Sequence, residues 1–137
     1  MSTAPVVFAL LAMLAWGVWA VLADAATQST SPTVAMIVSY LVGTALAGAY
    51  VLTRTEPVSY TRDGVLLAVA AGVFSGVAAV AFYAGLERGS TGVVTTVSAL
   101  YFVVAAALGV VLFDEPVTLQ RVGGVGFAVA AVALLAN

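Results

Sequence analysis

Gly64 to Leu86 reads GVLLAVAAGVFSGVAAVAFYAGL and contains no ionisable side chain. Apolar residues occupy nearly every helical face between Leu66 and Ala81, where a half-buried strand would alternate apolar and polar positions. A bilayer hydrocarbon core is about 30 Å thick and a helix rises about 1.5 Å per residue, so roughly 20 such residues cross it. Membrane β-barrels use segments of about ten alternating residues, and none is present here. This stretch is therefore a membrane-spanning helix. Its neighbours on both sides repeat the pattern.

Working outward, the charged residues divide the chain into four more stretches of the same kind: Val6 to Ala23, Thr33 to Thr53, Val93 to Phe113 and Val122 to Ala136, the last and shortest with a helix start nearer Gln120 open to it. The expected fold is an all-α integral membrane protein with five transmembrane helices, approximately 6–23, 33–53, 64–86, 93–113 and 121–136, forming one module over 1–137. Composition agrees. Of 137 residues 64% are hydrophobic and only 7% are charged, against about a quarter charged in a soluble domain. The net charge is −2, and there is no Lys and no basic run, so the chain carries no footprint for nucleic acid.

Punctuation marks the helix ends. Ser31 before Pro32 reads as an N-cap with proline at the first helical position. Gly89 and Gly92 separate the third and fourth helices, with Ser90 or Thr91 as cap. Asp114, Glu115 and Pro116 end the fourth, and Thr118 is placed to cap the fifth. Ala23-Asp24-Ala25 has the small-x-small form of a signal-peptide cleavage site, but no Lys or Arg precedes the apolar run and the run is long for a signal core, so it reads as a retained span. With five spans, Arg54, Arg62 and Arg121 share one side with the N-terminus and Arg88 stands alone on the other. The positive-inside rule then puts the N-terminus in the cytoplasm. The bias of three arginines to one is small enough to leave insertion in both orientations open.

The chain has no His and no Cys, which removes thiol nucleophiles, imidazole bases and the usual zinc ligands. No paired acid and base is evident, so neither catalytic residues, a metal site nor a cofactor is expected. Asp24, at the end of the first helix, reads as an interfacial residue in preference to an ion-coupling carboxylate. What remains inside the membrane is uncharged polarity. Thr91, Thr95, Ser98 and Phe102 follow helical steps of four, three and four with Tyr101 beside them. The stripe suits a wet cavity, and equally suits hydroxyls that bond back to their own helix. Trp16, Trp19, Tyr40, Tyr83 and Tyr101 add aromatic surface; Trp16 and Tyr101 lie deepest, where an indole N–H or phenol O–H requires a partner. Tyr50 and Tyr60 read as interface anchors. Gly72 and Gly76, then Gly123, Gly124, Gly126 and Ala130, form small-residue faces for helix packing or a contact between protomers.

Trp16-Gly17, the run Phe82-Tyr83-Ala84-Gly85-Leu86, Ser98-Ala99-Leu100-Tyr101, and Gly109 to Glu115 followed by Pro116, Thr118, Gln120 and the glycines 123 and 124 resemble an EamA-type module of the drug/metabolite transporter superfamily. The resemblance covers nearly the whole chain. It implies a secondary transporter built from two five-helix modules of opposite orientation around a cavity, of which this chain would be a half-size member paired with itself, antiparallel, or with a paralogue. It implies a small organic solute and membrane lipid as partners and the cell membrane as location. The expected substrate contacts are Trp16, Tyr40, Tyr83, Thr95, Ser98 and Tyr101. A lipid flippase or a non-transporting accessory or structural subunit are the alternatives. In one respect the chain departs from the family: Phe102 follows Tyr101 where proline is frequent, and a straightened fourth helix is the expected consequence.

Overall fold

A computed structural model describes residues 3–135, and among these it contains helices and no strand. The helices are α1 (Ala4–Thr27), α2 (Pro32–Leu52), α3 (Arg62–Leu86), α4 (Thr91–Ala99), α5 (Tyr101–Phe113) and α6 (Leu119–Leu135). Four spans, counting α4 and α5 together as Thr91–Phe113, are long and apolar enough to cross a membrane. The last, α6, has 17 described residues, at the lower limit of what a bilayer needs. Its expected end at Ala136 lies outside the described residues.

Local chemistry explains the ends. Ser31 accepts from the Val34 amide at 3.4 Å with Pro32 opening α2, Ser90 accepts from Val93 at 3.4 Å, and Thr118 accepts from Arg121 at 3.2 Å. Each satisfies one of the amides that a helix start leaves without a partner. Thr61 does the same for Gly64 at 3.1 Å. Two boundaries differ from the expectation for one reason. The expected ends of α1 and α3 were drawn at charges, yet Asp24 lies within α1 and Arg62 and Asp63 within α3, because a charge one or two turns inside a helix end still reaches the interface. Gly92 is likewise inside α4 and does not separate it from α3.

The expectation of a straightened fourth span is overturned. The span breaks at Leu100, whose amide donates to Val97 at 3.1 Å and whose carbonyl accepts from Val103 at 2.9 Å. Both bonds skip three residues where an α-helix skips four, so a single tight 3₁₀ turn separates α4 from α5 without any proline.

Contacts within the chain fall into two units, Met1–Arg88 and Gly89–Asn137. In the first, α1, α2 and α3 touch pairwise. Their buried residues are Ala20, Ala23, Ala35, Ala79, Tyr83 and Leu86. All six belong to the late part of α1, the early part of α2 and the late part of α3, which is one end of the three-helix unit. At the other end every described residue of α2 beyond Ser39 and of α3 before Ala79 is exposed. In the second unit α4 touches α6.

Candidate functional site

The packed end of α1–α3 is organised by Trp19. Its indole Nε1 donates to Ser39 Oγ at 2.8 Å, joining α1 to α2. Its ring stacks on Phe82 with centroids 5.2 Å apart and meets Tyr83 edge-on at 6.1 Å, joining α1 to α3. Phe82 and Tyr83 are themselves edge to face at 6.3 Å. Offset and edge-to-face pairs of this kind add to plain contact because ring edges are positive and ring faces negative. The alanines at 20, 23, 35 and 79 bring the backbones close enough for one indole to reach both neighbours.

The sequence-predicted site residues fall into three environments. Tyr83 is 2% exposed and belongs to the Trp19 cluster. Trp16 and Tyr40 are open, at 60% and 42% exposure, just beyond that cluster towards the unpacked end. Trp16 makes no hydrogen bond within the described residues; its neighbour one turn on, Trp19, holds the interhelical bond instead. Thr95, Ser98 and Tyr101 stand in the second unit. Thr95 Oγ1 donates to the carbonyls of Thr91 and Gly92, so its hydroxyl is satisfied by its own helix. Ser98 and Tyr101 are exposed on either side of the Leu100 turn. The structure thus brings Tyr83 together with Trp19, Phe82 and Ser39, which sequence reasoning did not select. The signal available was spacing: Trp19 precedes Ala20 and Ala23 on the face that small residues mark for packing.

The small-residue positions are open. A Cβ added at Gly72, Gly76, Gly123, Gly124 or Gly126 would meet nothing within 4 Å, and Gly72 and Gly76 edge a shallow apolar groove along α3. Gly109 differs. A Cβ there would come within 3.2 Å of the Glu115 carboxyl, because Asp114 turns the chain back in the left-handed conformation at φ 50° and the Glu115 amide reaches the Gly109 carbonyl at 3.3 Å. The same carboxylate takes a 2.7 Å hydrogen bond from Arg121, whose guanidinium also reaches the Pro116 carbonyl at 3.3 Å. Glu115 and Arg121 therefore tie the end of α5 to the start of α6.

At the other loop, Arg54 donates to the Tyr50 hydroxyl at 3.1 Å and to Glu56 at 3.2 Å. The hydrogen bond and charge of Tyr50, then the Glu56 carboxylate, hold the guanidinium above its ordinary value. Tyr50 thus joins the last turn of α2 to the loop that follows it.

Helices that are apolar on nearly all sides, with charges confined to helix ends and loops, define a multi-pass membrane protein. The chain belongs to the EamA-like transporter family, which matches residues 3–137. Neither the curated proteins nor the solved structures yield a match to it. Members of the family are transporters and not typical enzymes, and among the described residues no three His, Cys, Asp or Glu side chains cluster as metal ligands would.

Proposed function

We propose that this chain is one half of a secondary transporter that moves a small uncharged or zwitterionic organic solute across the cell membrane by alternating access. The observation that carries this reading is the family match, which extends over four helices long and apolar enough to cross a membrane and the shorter apolar helix α6. Paired modules of opposite orientation around a midplane site are a recurring transporter plan. Two copies inserted antiparallel reproduce that plan from one sequence, and the near-balance of arginines between the two sides suits dual insertion. A paralogous half is the other partner that meets the same need.

Solute contacts are assigned to Trp16 and Tyr40 within the first unit and, independently, to Ser98 and Tyr101 within the second; the exposed rings and hydroxyls in each unit supply stacking and hydrogen bonds without a fixed charge. Tyr83 acts on the site through Trp19, and Thr95 through its helix. Gly123, Gly124, Gly126 and Ala130 on α6 give a face on which a second protomer seats closely.

The chain has no Cys, so one introduced thiol reports topology cleanly. A Cys in the loop between Arg54 and Asp63 and, separately, one at the C-terminus are probed with an impermeant maleimide on intact cells and on opened membranes. Partial labelling of each site from both sides supports the antiparallel pair. A loop labelled only from the cytoplasm excludes that pair, and a purified chain that is then also monomeric moves the assignment to an accessory subunit. For the site, Trp16→Ala and Tyr101→Ala are expected to reduce counterflow of a labelled amino-acid mixture in proteoliposomes while expression and oligomer size are retained. Unchanged counterflow in both variants would remove these residues from the site.

A further inference from the structure

We infer that α1, α2 and α3 pivot about the Trp19 cluster, so that their opposite ends open and close over a glycine-lined cleft. This rests on packing inside the first unit and holds whichever solute is carried.

Three observations lead to it. Burial stops near the cluster: five of the six buried residues lie at or beyond it towards the α1–α2 turn, the sixth, Ala79, lies one turn short of it on α3, and past Ser39 and Ala79 the helices α2 and α3 are exposed throughout. Trp19 sits about 12 Å from the end of α1, at a rise of about 1.5 Å per residue, so the packed region takes up roughly a third of that helix and the unpacked region the remainder. Segments with few buried contacts open at low free energy while well-packed ones do not.

The packing stripes also continue past the cluster, but with glycine. On α3 the buried Leu86, Tyr83 and Ala79 run on to Gly76 and Gly72 in steps of three, four, three and four, the spacing that keeps residues on one face. On α2 Ala35 and Ser39 run on to Gly43. On α1 Ala23 and Ala20 run on to Trp16. The face that packs at one end therefore offers bare backbone at the other, and a Cβ at Gly43, Gly72 or Gly76 would find open space. Glycines are unfavourable in a helix interior in water and are useful where helices approach closely. In this conformation they approach nothing within the unit. Closure of the free ends gives them their contact, with Trp16 as the one bulky group on the closing faces.

The cluster itself suits a pivot. One indole bonded to Ser39 and stacked on Phe82 connects all three helices at a single level.

The test uses double electron–electron resonance on the full chain in lipid nanodiscs, with unlabelled chain in excess to remove signals between protomers. Spin labels are attached at exposed positions through Leu22→Cys with Val80→Cys at the packed end and Leu10→Cys with Leu67→Cys at the free end. The expected result is one narrow distance at the packed end and two distances, or one broad distribution, at the free end. Gly76→Leu is expected to abolish the shorter free-end distance and leave the packed-end distance unchanged. Ser39→Ala and Trp19→Phe are expected to broaden the packed-end distribution; Ser39→Ala removes only the hydrogen bond and so covers the case in which Trp19→Phe does not fold. A single narrow distance at the free end overturns the inference, as does a free-end distribution that Gly76→Leu leaves unaltered.

Discussion

At one end of α1–α3 four alanines, Tyr83 and Leu86 are closed off around an indole, and at the other the same helices stand apart with glycine where alanine was. Mean apolarity does not separate the two ends, since both are rich in Val, Leu and Ala. In a lipid solvent it cannot, because lipid tails solvate an exposed leucine as well as another helix does. What separates them is geometry and the Trp19–Ser39 hydrogen bond between α1 and α2. A soluble bundle with this much exposed apolar surface would collapse; in a membrane, shape complementarity and polar pairing decide which faces meet.

The largest test of that contrast removes a ring from each end. Tyr83→Ala at the packed end is expected to cost about 2 kcal/mol, the cavity part of a large-to-small change without the water-transfer part, whereas Trp16→Ala at the open end should cost less than about 0.5 kcal/mol, as surface changes do. Reversible unfolding in mixed micelles measures both, and equal losses would erase the distinction. Next in size is the Ser39→Ala change, where loss of the Trp19 bond is expected to cost about 0.6 kcal/mol, the mean for interhelical hydrogen bonds in a membrane. A smaller effect is expected for Arg121→Gln, which breaks an ion pair whose partners are nearly half exposed at 48% and 43% and so is worth below about 1 kcal/mol before screening. Its loss should shrink further as salt is raised in the same unfolding assay. Finally, Gly109→Ala is expected to displace the Glu115 carboxylate, weakening the Arg121 pair by a similar small amount, while Gly123→Ala, with open space around it, should leave stability unchanged. A stability loss at Gly123 would show that a second protomer already occupies that face.

Much of this architecture is legible in the residues because it is fixed by local chemistry. Ser31, Ser90 and Thr118 cap helices through bonds three residues long, and span positions follow from where charges are absent. The family assignment was equally legible, carried by the Asp114 to Gln120 run and the glycines after it. The candidate site was less so. Choosing Trp16 over Trp19 follows from depth along α1, but which of two tryptophans one turn apart meets Ser39 depends on how α1 and α2 are rotated, and an all-apolar helix has no polar face to declare its rotation. Tyr83 was selected as a cavity residue for its hydroxyl and proves to be part of the core through its ring. Thr95 illustrates another limit: spacing places it on a polar stripe, while its hydroxyl is engaged by its own backbone.

The break at Leu100 also separates two ways of bending a helix. A proline removes an amide and leaves a carbonyl unmatched in every conformation the chain adopts. Leu100 keeps its amide, and at φ −62° and ψ −5° it remains inside the right-handed helical basin. A change of about 40° in ψ brings Leu100 to regular α geometry with every amide of the turn still available to bond. The joint between Ser98 and Tyr101 is in that sense elastic, and each extension or tightening slides these two side chains relative to one another along the membrane normal, since a 3₁₀ turn rises about 0.5 Å more per residue than an α turn.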